Sequence, residues 1–168
     1  MDRHTGFTLM ELLISLTLVA VLATMALPAL EGVILNARRA AAVDELVRAA
    51  WFARTEALRR GRPVLLCAAD GTDDCATSHE AWTGGWRVAP VDEPGVTLRR
   101  GRGAPDPRAR LLANRATFRF EPHDRRSTNG TLAWCDGRGN AAARAVIIAP
   151  TGRPRLEHGP GSLDCATP

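Results

Sequence analysis

The apolar positions of this chain are distributed very unevenly. From Phe7 to Leu30 it reads FTLMELLISLTLVAVLATMALPAL, a run whose only ionisable side chain is Glu11. At about 1.5 Å per residue, such a run makes a helix of roughly 36 Å, enough to cross a bilayer core. Pro28 lacks an N–H, so a kink or local loosening is expected near the far end. Between Val33 and Arg60 the pattern changes. Val43, Leu46, Val47, Ala50, Ala53 and Ala57 recur at three- and four-residue spacing, while Arg38, Arg39, Asp44, Glu45, Arg48, Arg54, Glu56, Arg59 and Arg60 occupy much of the remaining surface. One long helix is predicted, with a membrane half and an amphipathic half, ended by Gly61 and Pro63. Its alanines suit close packing on a sheet better than binding at a membrane surface.

The remainder predicts β structure. Val64–Ala68 is a short apolar run, and Trp86–Val91 follows the Gly84-Gly85 turn. Ala116–Glu121 alternates, with Phe118 and Phe120 on one face. Thr131–Cys135 follows Asn129-Gly130, a strong turn dipeptide. Ala145–Ala149 is continuous and apolar, as a strand buried on both faces would be, and Arg153–Glu157 adds an edge strand. Between Val91 and Leu111 the chain is rich in Gly, Pro and Arg, which predicts exposed connections rather than core. There are no internal repeats.

With 168 residues the chain is one domain plus an appendage. Its 45% hydrophobic content argues against wholesale disorder. The net charge of +4 comes from Arg alone, since there is no Lys, so total charge is weak ground for an acidic partner. Its distribution says more. Arg99–Arg155 carries 13 Arg against Asp106, Glu121, Asp124 and Asp136, whereas Asn36–Leu98 is slightly acidic. Cys67, Cys75, Cys135 and Cys165 allow three complete pairings in an oxidising compartment. Cys67–Cys75 with Cys135–Cys165 is preferred, because the first closes a short polar loop and the second ties the tail to the sheet. No metal or cofactor is expected: there is no C-x-x-C pair, no ligand spacing among His79, His123 and His158, and no phosphate-binding loop. Ser127 lacks a nucleophile elbow, and Asp70, Asp73 and Asp74 form a solvated acidic loop. No catalytic constellation emerges, so the chain is read as a non-enzyme. Of the tryptophans Trp51, Trp82, Trp86 and Trp134, core filling is preferred over base stacking.

Glu11 decides between readings of the apolar run. A cleaved secretory signal is shorter and would not be interrupted by an acid. A plain anchor explains the length but leaves the acid costly, at about 2.5–3.5 kcal/mol near a bilayer centre. If the chain is cut after Gly6, Phe7 becomes the N-terminus, one helical turn from Glu11. In a bundle of such helices the carboxylate of one subunit then neutralises the amine of the next.

Gly6-Phe7-Thr8-Leu9-Met10-Glu11-Leu12-Leu13 resembles the signature of type IV prepilins and type II secretion pseudopilins. The resemblance implies cleavage between Gly6 and Phe7 by a membrane-embedded prepilin peptidase, N-methylation of Phe7, and a docking role for Glu11. It also favours a cytoplasmic leader and a periplasmic bulk, a topology that charge counting alone does not settle. Gly61-Arg62-Pro63-Val64 with Cys67, Cys75, Trp82 and Gly85-Trp86 resembles the central block of the GspH/FimT family of minor pilins and pseudopilins. Ser127-Thr128-Asn129-Gly130-Thr131 with Cys135-Asp136, and Ala149-Pro150-Thr151-Gly152-Arg153, resemble its C-terminal block. The expectation is an α+β, type IV pilin-like fold: leader 1–6, transmembrane and assembly helix 7–35, amphipathic helix 36–60, and a periplasmic antiparallel β-sheet domain 61–168. Its function would be a minor subunit that initiates or caps a type IV pilus or type II secretion filament in the inner membrane, with other pilins as partners. An alternative comes from Gly152-Arg153-Pro154-Arg155, a G-R-x-R match that resembles FimT-like members and implies DNA binding during natural transformation. There Gly152 would permit a tight turn, and Arg153 and Arg155 would project together toward phosphates.

Overall fold

A computed structural model describes residues 8–69, 71, 74–104, 108–123 and 126–165. The chain divides into two compact units, Met1–Arg38 and Arg39–Pro168. One helix, α1 (Leu9–Arg60), contributes to both. It runs through Pro28 without a break, so the loosening expected there does not interrupt the helix; a missing N–H removes one hydrogen bond from a ladder of many.

In the first unit, the large apolar side chains of α1 are exposed from Leu9 to Met25. Its hydroxyls turn back on the helix. Ser15 Oγ donates to the Glu11 carbonyl at 2.7 Å, Thr17 Oγ1 to Ile14 at 2.8 Å, and Thr24 Oγ1 to Val21 at 2.7 Å. Polar groups satisfied within the helix are what a water-free solvent demands.

In the second unit, α1 buries Val43, Leu46, Ala49, Ala50, Ala53 and Ala57. It ends where Gly61 takes a positive φ of 64° and its N–H donates to the Leu58 carbonyl at 3.4 Å. Among the described residues, two four-stranded antiparallel sheets follow. The first has the order β3-β2-β1-β5, from Arg99–Arg102, Gly85–Pro90, Val64–Ala68 and Thr117–Phe120. The second has the order β4-β6-β7-β8, from Arg110–Ala113, Gly130–Cys135, Arg144–Ile148 and Pro154–His158. A short 3-10 helix, His79–Gly84, starts at Ser78, whose Oγ accepts from the Glu80 N–H at 3.2 Å.

Burial follows the strand alternation. Val64, Leu66, Trp86, Val88, Phe118 and Phe120 of the first sheet join Leu111, Leu132, Val146 and Ile148 of the second in one core with α1. Trp82 packs edge-on against Phe118, with ring centroids 5.8 Å apart, and its Nε1–H donates to the Arg115 carbonyl at 2.8 Å. The opposite face of the second sheet has its own small cluster, in which Ala133, Cys135, Ala143 and Ala145 lie under Cys165 and Leu163. β7 is therefore covered on both faces, as its continuous apolar sequence suggests.

Two expectations need correction. The stretch from Val91 to Leu111 is not merely exposed connection: it contains β3 and the start of β4. β3 pairs with β2 in the register Trp86↔Gly101, and its glycine is a packing requirement. A Cβ on Gly101 would stand 2.2 Å from the Trp86 ring. β4 buries Leu111 and Ala113 against the core. Composition reads this segment as loop because Gly and Arg are poor strand formers, and cross-strand pairing overrides that preference. Second, only three tryptophans fill the core, since Trp51 is 43% exposed on α1.

Candidate functional site

Two places were singled out by sequence, the start of α1 and the edge of the second sheet. Gly6 and Phe7, the expected cleavage and methylation residues, lie outside the described residues. Glu11 is exposed in the first turn of α1. Its N–H donates to Thr8 Oγ1 at 3.3 Å, and the Leu12 N–H donates to the Thr8 carbonyl at 3.2 Å. Thr8 therefore caps the helix, and Glu11 stands three residues beyond it, where a carboxylate complements the helix N-terminus. The sequence carries this signal as Thr-x-x-Glu; a reading of Glu11 as a docking residue alone passes over it.

The edge motif is built differently from its linear appearance. Gly152 is buried with a φ of 73°, its N–H donating to the Ala149 carbonyl at 2.8 Å. A Cβ there would lie 2.9 Å from Ser127 Oγ and 3.0 Å from an Arg54 guanidinium nitrogen. The Ser127 N–H donates to the Pro150 carbonyl at 2.9 Å, and Ser127 Oγ accepts from the Glu121 N–H at 3.1 Å. The blocks Ser127–Thr131 and Ala149–Arg153, distant in sequence, thus form one joint. That joint ties the end of β5 in the first sheet to the β7–β8 turn in the second, and it explains the motif residues by packing.

Arg153 and Arg155 are both exposed, the latter on edge strand β8. They are not equivalent. Arg155 pairs with Glu157 at 3.0 Å, while Arg153 has no ion-pair partner among the described residues. The arginines of the basic half are also divided between strands of both sheets, from Arg99 on β3 to Arg155 on β8. Several are bound locally. Arg119 pairs with Glu121 at 2.5 Å, Arg138 with Asp136 at 2.7 Å, and Arg115 donates to the Asn129 carbonyl at 2.8 Å.

A cluster missed by sequence reading lies at the start of the second unit. Arg39 donates to the Ala142 carbonyl at 2.5 Å. Burial, and then the positive charges of Arg144 and Arg138, hold it below the usual arginine range, while Asp136 opposes them. The Asp136 carboxyl is held low chiefly by its hydrogen bonds from Arg138.

The cysteines form Cys67–Cys75 and Cys135–Cys165. The first staples the loop after β1. The second draws the tail across the outer face of the second sheet, where Asn140 Oδ1 accepts from the Cys165 N–H at 2.7 Å and Ser162 Oγ bonds Thr131 Oγ1 at 3.1 Å. Among the described residues no three His, Cys, Asp or Glu side chains gather as a metal site.

A long helix continuing into two antiparallel sheets is the arrangement of pilin-like subunits. The family model "Prokaryotic N-terminal methylation motif" matches residues 1–27, and "Type II transport protein GspH" matches residues 42–152. The chain belongs to the GspH family. Two crystal forms of the type IV minor pilin FimU from Pseudomonas aeruginosa strain PAO1 share its fold. One is 20% identical, with a TM-score of 0.55 over 76% of this chain and 94% of that one. The other is 21% identical, with a TM-score of 0.54 over 74% and 98%. No curated protein matches the chain at a significant level.

Proposed function

We propose that this chain is a minor pilin or pseudopilin, a non-catalytic subunit that helps initiate or cap a type IV pilus or type II secretion filament. The observation that carries this reading is the contrast within α1. The most apolar 18-residue window of its first half has a mean hydropathy of 2.3 and no buried residue, while its second half is anchored in a sheet domain. A helix so apolar requires lipid or neighbouring helices, and a bundle of such helices provides both. In this reading prepilin peptidase cleaves between Gly6 and Phe7, Phe7 is N-methylated, and Glu11 accepts the amine of an adjoining subunit. The sheet domain faces the periplasm, where an oxidising environment preserves both disulfides.

DNA capture gains no support as a second reading. Gly152 serves the joint with Ser127, and Arg155 is partnered by Glu157. Mass spectrometry of protein from its native host tests the main reading. The expected N-terminus is methylated Phe7, and Glu11→Gln is expected to reduce incorporation into filaments at least tenfold while the sheet domain stays folded. An intact Met1 together with normal assembly of the Gln variant would defeat it.

A further inference from the structure

Arg39, Arg138 and Arg144 come from α1, from the turn after β6 and from the start of β7, and the fold gathers them around one acid. Asp136 is buried and takes two side-chain hydrogen bonds from Arg138, at 3.0 and 2.7 Å, so that pair is neutral within itself. Arg39 and Arg144 are held differently. Arg144 Nη1 donates to the Ala143 carbonyl at 2.7 Å, and Arg39 Nη1 donates to the preceding carbonyl, that of Ala142, at 2.5 Å. Two guanidiniums thus hang on successive peptide units, and neither has an ion pair among the described residues. Long side chains can turn apart to relieve repulsion, and these do not.

Nearby carboxylates leave the excess charge standing. Asp44 pairs with Arg48 and Glu157 with Arg155. Asp164 accepts from Asn140 Nδ2 at 2.9 Å beside Cys165, on the outer face of the second sheet. Arg144 lies opposite the core residue Trp134, on the α1 side of that sheet. Burial, and then the charges of Arg144 and Arg138, keep Arg39 below the usual arginine range, and Asp136 opposes them without cancelling them. Arg39 and Arg144 are half-buried and Arg138 is exposed, so the cluster is open to a ligand.

The place of the cluster along the chain says which anion it meets. A helix from Phe7 to Leu35 is about 43 Å long, the thickness of a bilayer with its headgroups. Arg39 follows Leu35 by four residues of α1. We propose that Arg39 and Arg144 bind the phosphate of an anionic membrane lipid. Their guanidinium forks present paired donors to its oxygens, and its acyl chains stay in the bilayer. The lipid source rests on the reading of α1 as a membrane anchor; free phosphate has the same chemistry, and the test separates the two.

The test uses the full chain in neutral detergent micelles, labelled with ¹⁵N-arginine. Arg39→Lys and Arg144→Lys assign the two Nε–H resonances by their disappearance. The probes are dioctanoyl phosphatidylglycerol, dioctanoyl phosphatidylcholine, inorganic phosphate and a short DNA duplex. Phosphatidylcholine enters micelles equally but carries a compensating ammonium. Saturable movement of both resonances by phosphatidylglycerol is expected, with at least tenfold weaker responses to the other three. By native mass spectrometry, the double variant Arg39→Gln, Arg144→Gln is expected to retain at least tenfold less phosphatidylglycerol. Arg153→Gln, which removes an exposed charge elsewhere, is expected to change retention less than twofold. If the double variant does not fold, the resonances of the unaltered chain decide. No movement with phosphatidylglycerol, equal movement with phosphatidylcholine, or phosphate or DNA acting as strongly would each overturn the proposal. So would unaltered retention by a folded double variant, or an equal loss from Arg153→Gln. Absent lipid binding with the assembly defect of Glu11→Gln intact would remove this site and leave the filament reading standing. Lipid binding with an intact Met1 and normal assembly of that variant would do the reverse.

Discussion

From Leu9 to Arg38, α1 presents leucine, valine and methionine outward; from Arg39 to Arg60, it turns alanines inward onto a sheet. The backbone is the same and the stabilising surroundings are opposite. In the first region hydroxyls fold back onto carbonyls and large side chains are left for lipid or other helices. In the second, small side chains let the helix approach the sheets closely, and the charged residues are exposed or half-buried. Helix formation is therefore a shared property, whereas packing within the chain belongs to the second region alone. Damage to the core should be felt in one region and be nearly silent in the other.

The largest contrast comes from core deletion. Phe118→Ala is expected to cost about 3–5 kcal/mol, since the ring is fully buried at the centre of the core. Leu16→Ala, on the exposed half of α1, is expected to shift the unfolding of the sheet domain by less than about 0.5 kcal/mol. Denaturant unfolding of the full chain, followed by tryptophan fluorescence, measures both. Comparable losses at the two positions would break the distinction.

Replacing Cys135 and Cys165 with Ala is expected to cost about 2–4 kcal/mol. The Cys67–Cys75 pair should contribute less, because it closes a separation of 8 residues rather than 30. Melting temperatures of the two double variants compare them directly. A greater loss from the shorter loop would show that tail cover is not what the longer bridge supplies.

The joint between the two sheets gives a smaller effect. Gly152→Ala introduces a side chain at positive φ and close to Ser127, with an expected cost of about 1–3 kcal/mol. Gly137→Ala meets nothing within 4 Å and has no such φ, so it serves as the control. Equal stability of the two variants would remove the packing account of the G-R-P-R segment.

The smallest effect is pH-dependent. Hydrogen bonds from Arg59 and then Arg60 lower the Glu56 pKa from its ordinary 4.5 to about 2. An ionised Glu56 favours the folded state, so its contribution is complete above pH of about 4.5 and is lost as pH falls through about 2. With Arg59 largely exposed, the contribution should stay below about 1 kcal/mol. Unfolding curves of Glu56→Gln and the unaltered chain should therefore differ at pH 6 and converge near pH 2. A gap that widens in acid would reverse the sign assigned to this group.

Much of the second region was legible without coordinates. Val64–Ala68 matches β1, and the strands around Phe118, Trp134 and Val146 are displaced by a residue or so at their ends. The preferred cysteine pairing is the one formed. Alternation and turn dipeptides are local signals, and these strands obey them. β3 and β4 were not legible, because Arg-Arg-Gly-Arg has no apolar alternation and Gly101 acquires its meaning only opposite Trp86. The candidate site divides in the same way. Glu11 stands out in an apolar run wherever that run is placed. Arg39 looks like any other arginine until the fold brings Arg144 to the neighbouring carbonyl.

By itself, the sequence determined that a membrane-length apolar helix leads into an amphipathic one and then into β structure, because length, periodicity and isolated charges act on neighbouring residues. Tertiary structure decided the division into two sheets, the joint between Ser127 and Gly152, and the meeting of Arg39 with Arg144. Those depend on which strand meets which, and the free energy of a pairing resides in contacts between residues that the linear order keeps far apart.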